Sequence, residues 1–208
     1  MKIIGTGSAL PEQIVTNEDL TKFLDTSDEW IVSHTGIRER RVLDRESVND
    51  IGTLAARRAL EDAGLALEEL DLLICRNVAS DYFTPGPACF IAGALGFSGQ
   101  TLDMNGACTG FLQALDIADA YLRAGKARNV LIVAAEKPSY LADWTDRATC
   151  VLFGDGAGAV VLQNSEPSGC IATCIATQPN EDFLNMPTPA GNCPFTHREG
   201  AGGYLRMN

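Results

Sequence analysis

Short apolar, β-rich runs alternate along this chain with amphipathic helical patterns, and that alternation constrains its fold more than any other feature. The runs fall at residues 2–4, 72–75, 101–104, 129–135, 157–163 and 171–176. Their hydrophobicity is continuous, which predicts strands buried on both faces of a helix-covered sheet. Between them, Asn17-Glu18-Asp19-Leu20 and Ser27-Asp28-Glu29-Trp30 each carry the cap and acidic first turn of a helix start. Residues 50–63 predict a longer helix, with Ile51, Leu54, Ala55, Ala59 and Leu60 inward and Arg57 and Arg58 outward. Gly64 ends it. A further helix is expected from about Cys108 to Ala124, with Phe111, Leu112, Leu115, Ala118 and Leu122 inward and Gly125 as terminator. The fold class is α/β.

The 208 residues, 46% of them hydrophobic, suffice for one large domain or two small ones. A 21% charged fraction excludes a disordered acidic tail. The net charge of −11 argues against nucleic acid and anionic membrane as partners. Residues 130–135 and 157–162, the longest apolar runs, are too short to span a bilayer, and the N-terminal run is too short for a secretory signal. Seven cysteines without a CxxC pair fit reduced thiols in a cytoplasmic protein better than disulfides or a metal site. Cys170 and Cys174 read as core packing on one side of a strand. Residues 178–203, rich in Pro and Gly, read as a long irregular loop. Tyr204-Leu205-Arg206-Met207-Asn208 then begins what looks like a strand, as though the chain were cut there.

Chemistry concentrates at Cys108, which follows the 101–104 strand through Asn105-Gly106-Ala107 and opens the next helix. Helix dipole and free amides there favour the reactive thiolate. Position alone equally admits a buried structural cysteine, as assumed for Cys75 and Cys89. Histidine is scarce: His34 and His197 both read as solvated loop residues. Gly5-Thr6-Gly7 and Gly154-Asp155-Gly156-Ala157-Gly158 fit neither a dinucleotide loop nor a P-loop, and read as sites of close backbone packing. Eight of the sixteen Lys and Arg lie within residues 1–58, and the Arg38–Arg41 stretch reads as a solvated, salt-bridged face.

Taken together, several motifs resemble β-ketoacyl-[acyl-carrier-protein] synthase III, a condensing-enzyme family of the thiolase superfamily. They are Ile3-Ile4-Gly5-Thr6-Gly7-Ser8, Asp25-Thr26-Ser27-Asp28-Glu29-Trp30-Ile31, Thr35-Gly36-Ile37-Arg38-Glu39-Arg40, Asp103-Met104-Asn105-Gly106-Ala107-Cys108-Thr109-Gly110-Phe111, Thr145-Asp146-Arg147 and Leu152-Phe153-Gly154-Asp155-Gly156-Ala157-Gly158-Ala159. They stand in family order and cover nearly the whole chain.

The resemblance implies a five-layered αβαβα thiolase-like fold, here mainly its N-terminal half. Residues 1–177 would form that half, and 178–208 a loop and the start of the C-terminal half. It implies that Cys108 takes an acyl group from acyl-coenzyme A and condenses it with malonyl-acyl carrier protein, with loss of carbon dioxide. Trp30 and Arg147 would hold the adenine between them, with Thr26 and His34 also on the nucleotide. Thr84 and Phe153 would border the acyl pocket, as would the local departures Pro87 and Lys137-Pro138. Coenzyme A enters as substrate, so no resident cofactor and no metal is expected. The family's later histidine, asparagine and glycine-rich loop lie beyond this chain. A homodimer, or a complex with the missing C-terminal half, is therefore expected. Two other readings stand beside this one: a non-catalytic thiolase-like partner subunit, and a cysteine-dependent acyltransferase to another acceptor in secondary metabolism.

Overall fold

The computed structural model describes residues 1–180, 184–186 and 206–207. The chain divides into two compact units drawn from discontinuous segments. Met1–Ile14, Arg41–Lys137 and Asp155–Ile175 make the first; Val15–Arg40, Pro138–Gly154 and Ala176–Asn208 make the second.

The first unit is built on five strands: β1 (Lys2–Ala9), β4 (Leu72–Arg76), β5 (Gln100–Met104), β6 (Asn129–Glu136) and β7 (Gly156–Gln163). Short strands β2 (Ile14–Thr16) and β3 (Glu39–Arg41) pair separately. The sheet order is β1-β7-β6-β4-β5, with β4 parallel to both neighbours and β7 antiparallel to both of its own. Helices α3 (Val48–Ala63) and α4 (Pro87–Leu95) share one core with Leu73, Cys75, Leu131 and Val133. Helix α5 (Gly110–Arg123) packs with Leu72, Ile74, Val130 and Ile132 in a second core. Successive strand residues thus face opposite cores, and both must be apolar. That is why β4 and β6 read as unbroken apolar runs.

Glycine decides how closely α3 approaches. A Cβ at Gly7 would lie 2.5 Å from the Ala59 nitrogen, and one at Gly5 would lie 2.5 Å from the Ala63 nitrogen. These glycines serve close packing, as expected, and β1 runs through them for eight residues, well past the apolar run at 2–4. Helix α3 begins two residues before the expected start, because Ser47 and Asp50 form a capping box. Gly64 and Gly125 end their helices with φ of 60° and 67°.

Several expectations are corrected. Residues 171–176 form no strand; no neighbouring strand pairs with them, and Ile171 is 96% exposed. Cys170 is half-buried and Cys174 exposed, so core packing does not account for them. Leu54 and Leu112 are exposed, at 42% and 62%. The buried stripe of α5 instead follows the i, i+4 row Ala114, Ala118, Leu122, which puts Leu112 on the far side. Cys75 is buried, and burial drives its thiol pKa upward. Cys89 is exposed, because α4 turns Ala88, Ile91 and Ala92 inward instead. Helix α4 itself carries no periodic signal, being apolar all round.

The second unit holds three short helices: α1 (Asn17–Thr21), α2 (Asp28–Thr35) and α6 (Arg147–Cys150). Its core gathers Leu20, Leu24, Ile31, Ala142, Cys150 and Val151. Arg40, expected on a solvated face, is 5% exposed and bonds the Val15 and Val151 carbonyls and the Asn17 Oδ1. Burial lowers its pKa. Strands β8 (Leu184–Asn185) and β9 (Arg206–Met207) pair antiparallel, so a short strand does form within 204–208. Cys193 and His197 lie outside the described residues.

Candidate active site

In the first unit, Cys108 stands exposed on a tight turn between β5 and α5. Residues Ala107–Thr109 form one turn of 3-10 helix, and α5 begins at Gly110. Ala107 has φ 43°, the one left-handed non-glycine among the described residues. Such a conformation is sterically unfavourable for alanine and persists where surrounding bonds hold it. Asn105 Oδ1 accepts from the Ala107 amide at 3.3 Å, and Thr109 Oγ1 donates to the Gly106 carbonyl at 3.0 Å. A Cβ at Gly106 would lie 2.6 Å from Gly110 Cα, so the turn closes only around glycine.

Sequence reading missed the groups beneath this turn. Arg76, the last residue of β4, donates to the Ala107 carbonyl and pairs with Glu136 at the end of β6. Glu136 also accepts from the Val78 amide at 3.0 and 3.1 Å. Burial pushes the Glu136 carboxyl above its ordinary range, opposed by Arg76. Asp103 on β5 accepts from the Ala88 amide at 2.8 Å, fixing the first turn of α4. Burial raises its pKa as well. Arg76 and Glu136 carry no periodic or motif signal, whereas Asp103 opens the motif that leads to Cys108.

Thr84 is exposed in the loop before α4. Pro87, one of the local departures, occupies the first position of α4, where a missing amide hydrogen costs nothing. Lys137, the other, pairs with Asp81 at 2.6 Å. Both therefore have local structural roles.

The expected coenzyme residues Trp30, His34, Thr26 and Arg147 all fall in the second unit. Ser27 caps α2, which presents Trp30 and His34 one turn apart with ring centroids 4.4 Å from each other. Asp146 caps α6 by accepting from the Ala148 amide at 2.9 Å, and Arg147 follows as the first helical residue. The Arg147 guanidinium lies 4.9 Å from the Trp30 ring centroid and donates to the Asp25 carbonyl at 2.5 Å. Thr26 Oγ1 is buried without a partner. Two successive stacking contacts need about 7 Å, so a base entering between Trp30 and Arg147 must part them by about 2 Å. Phe153 is half-buried against the core of this same unit.

Among the described residues, no group of three His, Cys, Asp or Glu is placed to hold a metal, and no helix is long and apolar enough to cross a membrane.

The mixed sheet with helices on both faces is shared with solved structures of the thiolase-like fold. Residues 102–179 match the family described as 3-oxoacyl-[acyl-carrier-protein (ACP)] synthase III. A β-ketoacyl-[acyl-carrier-protein] synthase III of Clostridium acetobutylicum is 44% identical over 211 residues, covering 100% of this chain and 65% of the relative. The solved synthase III of Thermus thermophilus is 36% identical with a TM-score of 0.90, over 100% of this chain and 65% of that one. A priming β-ketosynthase from a polyketide biosynthetic pathway is 38% identical with a TM-score of 0.77, over 79% of this chain and 50% of that one. Over its whole length the chain is similar to the N-terminal portion of β-ketoacyl-[acyl-carrier-protein] synthase III enzymes. It spans about 65% of the length of the curated relatives it matches.

Proposed function

We propose that this chain carries the acyl-accepting part of a condensing enzyme that starts fatty-acid synthesis. The observation that carries the reading is Cys108, an exposed thiol on a left-handed turn at the start of α5. Its thiolate attacks the thioester carbonyl of acyl-coenzyme A, forming the sulfur–carbon bond of the acyl-enzyme. The tetrahedral oxyanion takes a hydrogen bond from the Cys108 backbone amide, and the coenzyme leaves as its thiolate. Trp30 and Arg147 sandwich the adenine, with Thr26 and His34 beside the nucleotide; Thr84 and Phe153 border the acyl chain. Condensation with malonyl-acyl carrier protein follows, releasing carbon dioxide and the β-ketoacyl product.

Residues 1–177 act as the N-terminal half of the thiolase-like fold. The chain works as a cytoplasmic homodimer, or joined to a C-terminal half that holds the polarising residues for the malonyl step. The half-buried and exposed residues of β5, at the sheet's edge, support such pairing.

Incubation with acetyl- or isobutyryl-coenzyme A followed by intact-mass analysis tests the first step. The protein should gain one acyl mass, and Cys108→Ala should gain none. An unmodified wild-type protein would leave the partner-subunit reading in its place. The likeness to a priming β-ketosynthase favours one second reading, transfer of the Cys108 acyl group to a polyketide carrier. Supplying each carrier protein to the acyl-enzyme and weighing the product separates the two.

A further inference from the structure

The least explained cation in the first unit is Arg76. It ends β4, between parallel neighbours β5 and β6, and its side chain is 14% exposed. The side chain passes beneath the start of α5 so closely that a Cβ at Gly110 would lie 2.7 Å from its Cγ and 2.8 Å from its Nε. One terminal nitrogen pairs with Glu136 and the other donates to the Ala107 carbonyl. Glu136 is fixed in turn by the Val78 amide. A continuous path of bonds therefore runs from two central strands to the carbonyl of the residue just before Cys108. That residue is the left-handed alanine, whose conformation needs an external hold. A planar guanidinium suits the task because its fork reaches two acceptors at once in fixed geometry.

We propose that Arg76, braced by Glu136, is a positioning residue that locks the Ala107 turn and so aims the Cys108 thiol at its acyl donor. It touches no substrate and acts through the peptide before the nucleophile. This rests on the reading of Cys108 as the acyl acceptor.

Displacing a nucleophile by about an ångström lowers reactivity on the order of 100-fold. Arg76→Met is accordingly expected to slow acylation of Cys108 by about 10- to 100-fold in single-turnover mass spectrometry. Its dissociation constant for coenzyme A should stay unchanged, since Trp30 and Arg147 are untouched. Because that variant strands Glu136 without its cation, Arg76→Met/Glu136→Gln is measured alongside. The double variant removes the buried charge yet still leaves Ala107 without its donor, so its acylation should be equally slow. Wild-type acylation rates in either variant would overturn the proposal, as would a parallel loss of coenzyme A affinity in both. Failure of the underlying reading looks different: wild-type protein itself would then take no acyl group on Cys108.

Discussion

Gly7→Ala puts the strand-to-helix packing of the first unit to a quantitative test. A Cβ at Gly7 would lie 2.5 Å from the Ala59 nitrogen and 2.9 Å from the Arg58 Cβ, with the Ala55 carbonyl closer still. Ordinary van der Waals contact begins near 3.4 Å, so α3 must retreat by about 1 Å. It cannot do so freely, since Val48, Ile51, Gly52, Ala55, Ala56, Ala59 and Leu60 are all buried. Overpacking of this kind costs about 1–3 kcal/mol, against a gain of about 0.4–1 kcal/mol from the stiffer unfolded chain. The net loss is about 1.3 kcal/mol, which lowers a urea midpoint by about 0.7 M at a slope of about 2 kcal/mol per M. Gly158→Ala is the matched control. Gly158 pairs with Ser8 on the adjacent strand, and its added Cβ would find only the Gly7 carbonyl oxygen, at 4.0 Å. It should leave the midpoint unchanged or raise it slightly. Equal midpoints for Gly7→Ala and wild type would refute the reasoning, and so would an equal fall for both variants.

Ser47→Ala removes the side-chain cap of α3 and should cost about 1 kcal/mol in urea titrations at neutral pH. Hydrogen bonds from the Ser47 amide and hydroxyl hold Asp50 below its ordinary pKa of 3.8, so its contribution is full above that value and fades as pH falls through the lowered one; a stability difference that grew on acidification would contradict this. Arg40→Ala strands three acceptors, at 3.2, 2.8 and 3.2 Å, and should destabilise by about 3 kcal/mol, with Arg40→Lys recovering only part because it lacks the fork. A thermal melt within a degree of wild type would dismiss that reading of Arg40. Trp30→Ala should weaken coenzyme A binding by about 10- to 100-fold in calorimetry, given about 1–3 kcal/mol for a base stacked on an aromatic ring. Arg147→Ala should weaken it only several-fold, since an exposed cation–π contact is worth about 0.5–1 kcal/mol; the reverse ranking would exclude the sandwich.

How much of this was readable from the chain depends on where each contact comes from. Strands β4 and β6 were legible because burial on both faces leaves an unbroken apolar run. Strand β1 was only partly so: Gly5 and Gly7 interrupt its apolar pattern for the sake of α3, a neighbour some fifty residues away. The run at 171–176 has strand composition, but among the described residues no strand pairs with it, and composition alone does not show pairing. Cys108, Trp30 and Arg147 stood out through motifs, each tied to a local cap or turn. Arg76 and Glu136 did not, because 60 residues separate them and only the parallel pairing of β4 with β6 brings them together.

The two sets of candidate residues rest on different kinds of support, and this bears on what each can do. The thiol stands on the turn between edge strand β5 and α5, where Arg76 of β4 bonds the Ala107 carbonyl and α5 packs in a core with β4 and β6. Such a base suits a nucleophile whose direction of attack must be held within a fraction of an ångström. Trp30 and Arg147 instead stand on helices of eight and four residues. Helices that short do not persist on intrinsic propensity and depend on their caps, here Ser27 and Asp146, and on packing around Ile31 and Cys150. A side chain on so short a helix can shift by an ångström or two at little energetic cost, and admitting a base between Trp30 and Arg147 requires a movement of that size. On the proposed function, the secondary structure that carries each residue gives rigid support to the nucleophile and yielding support to the side chains that would admit a flat ring.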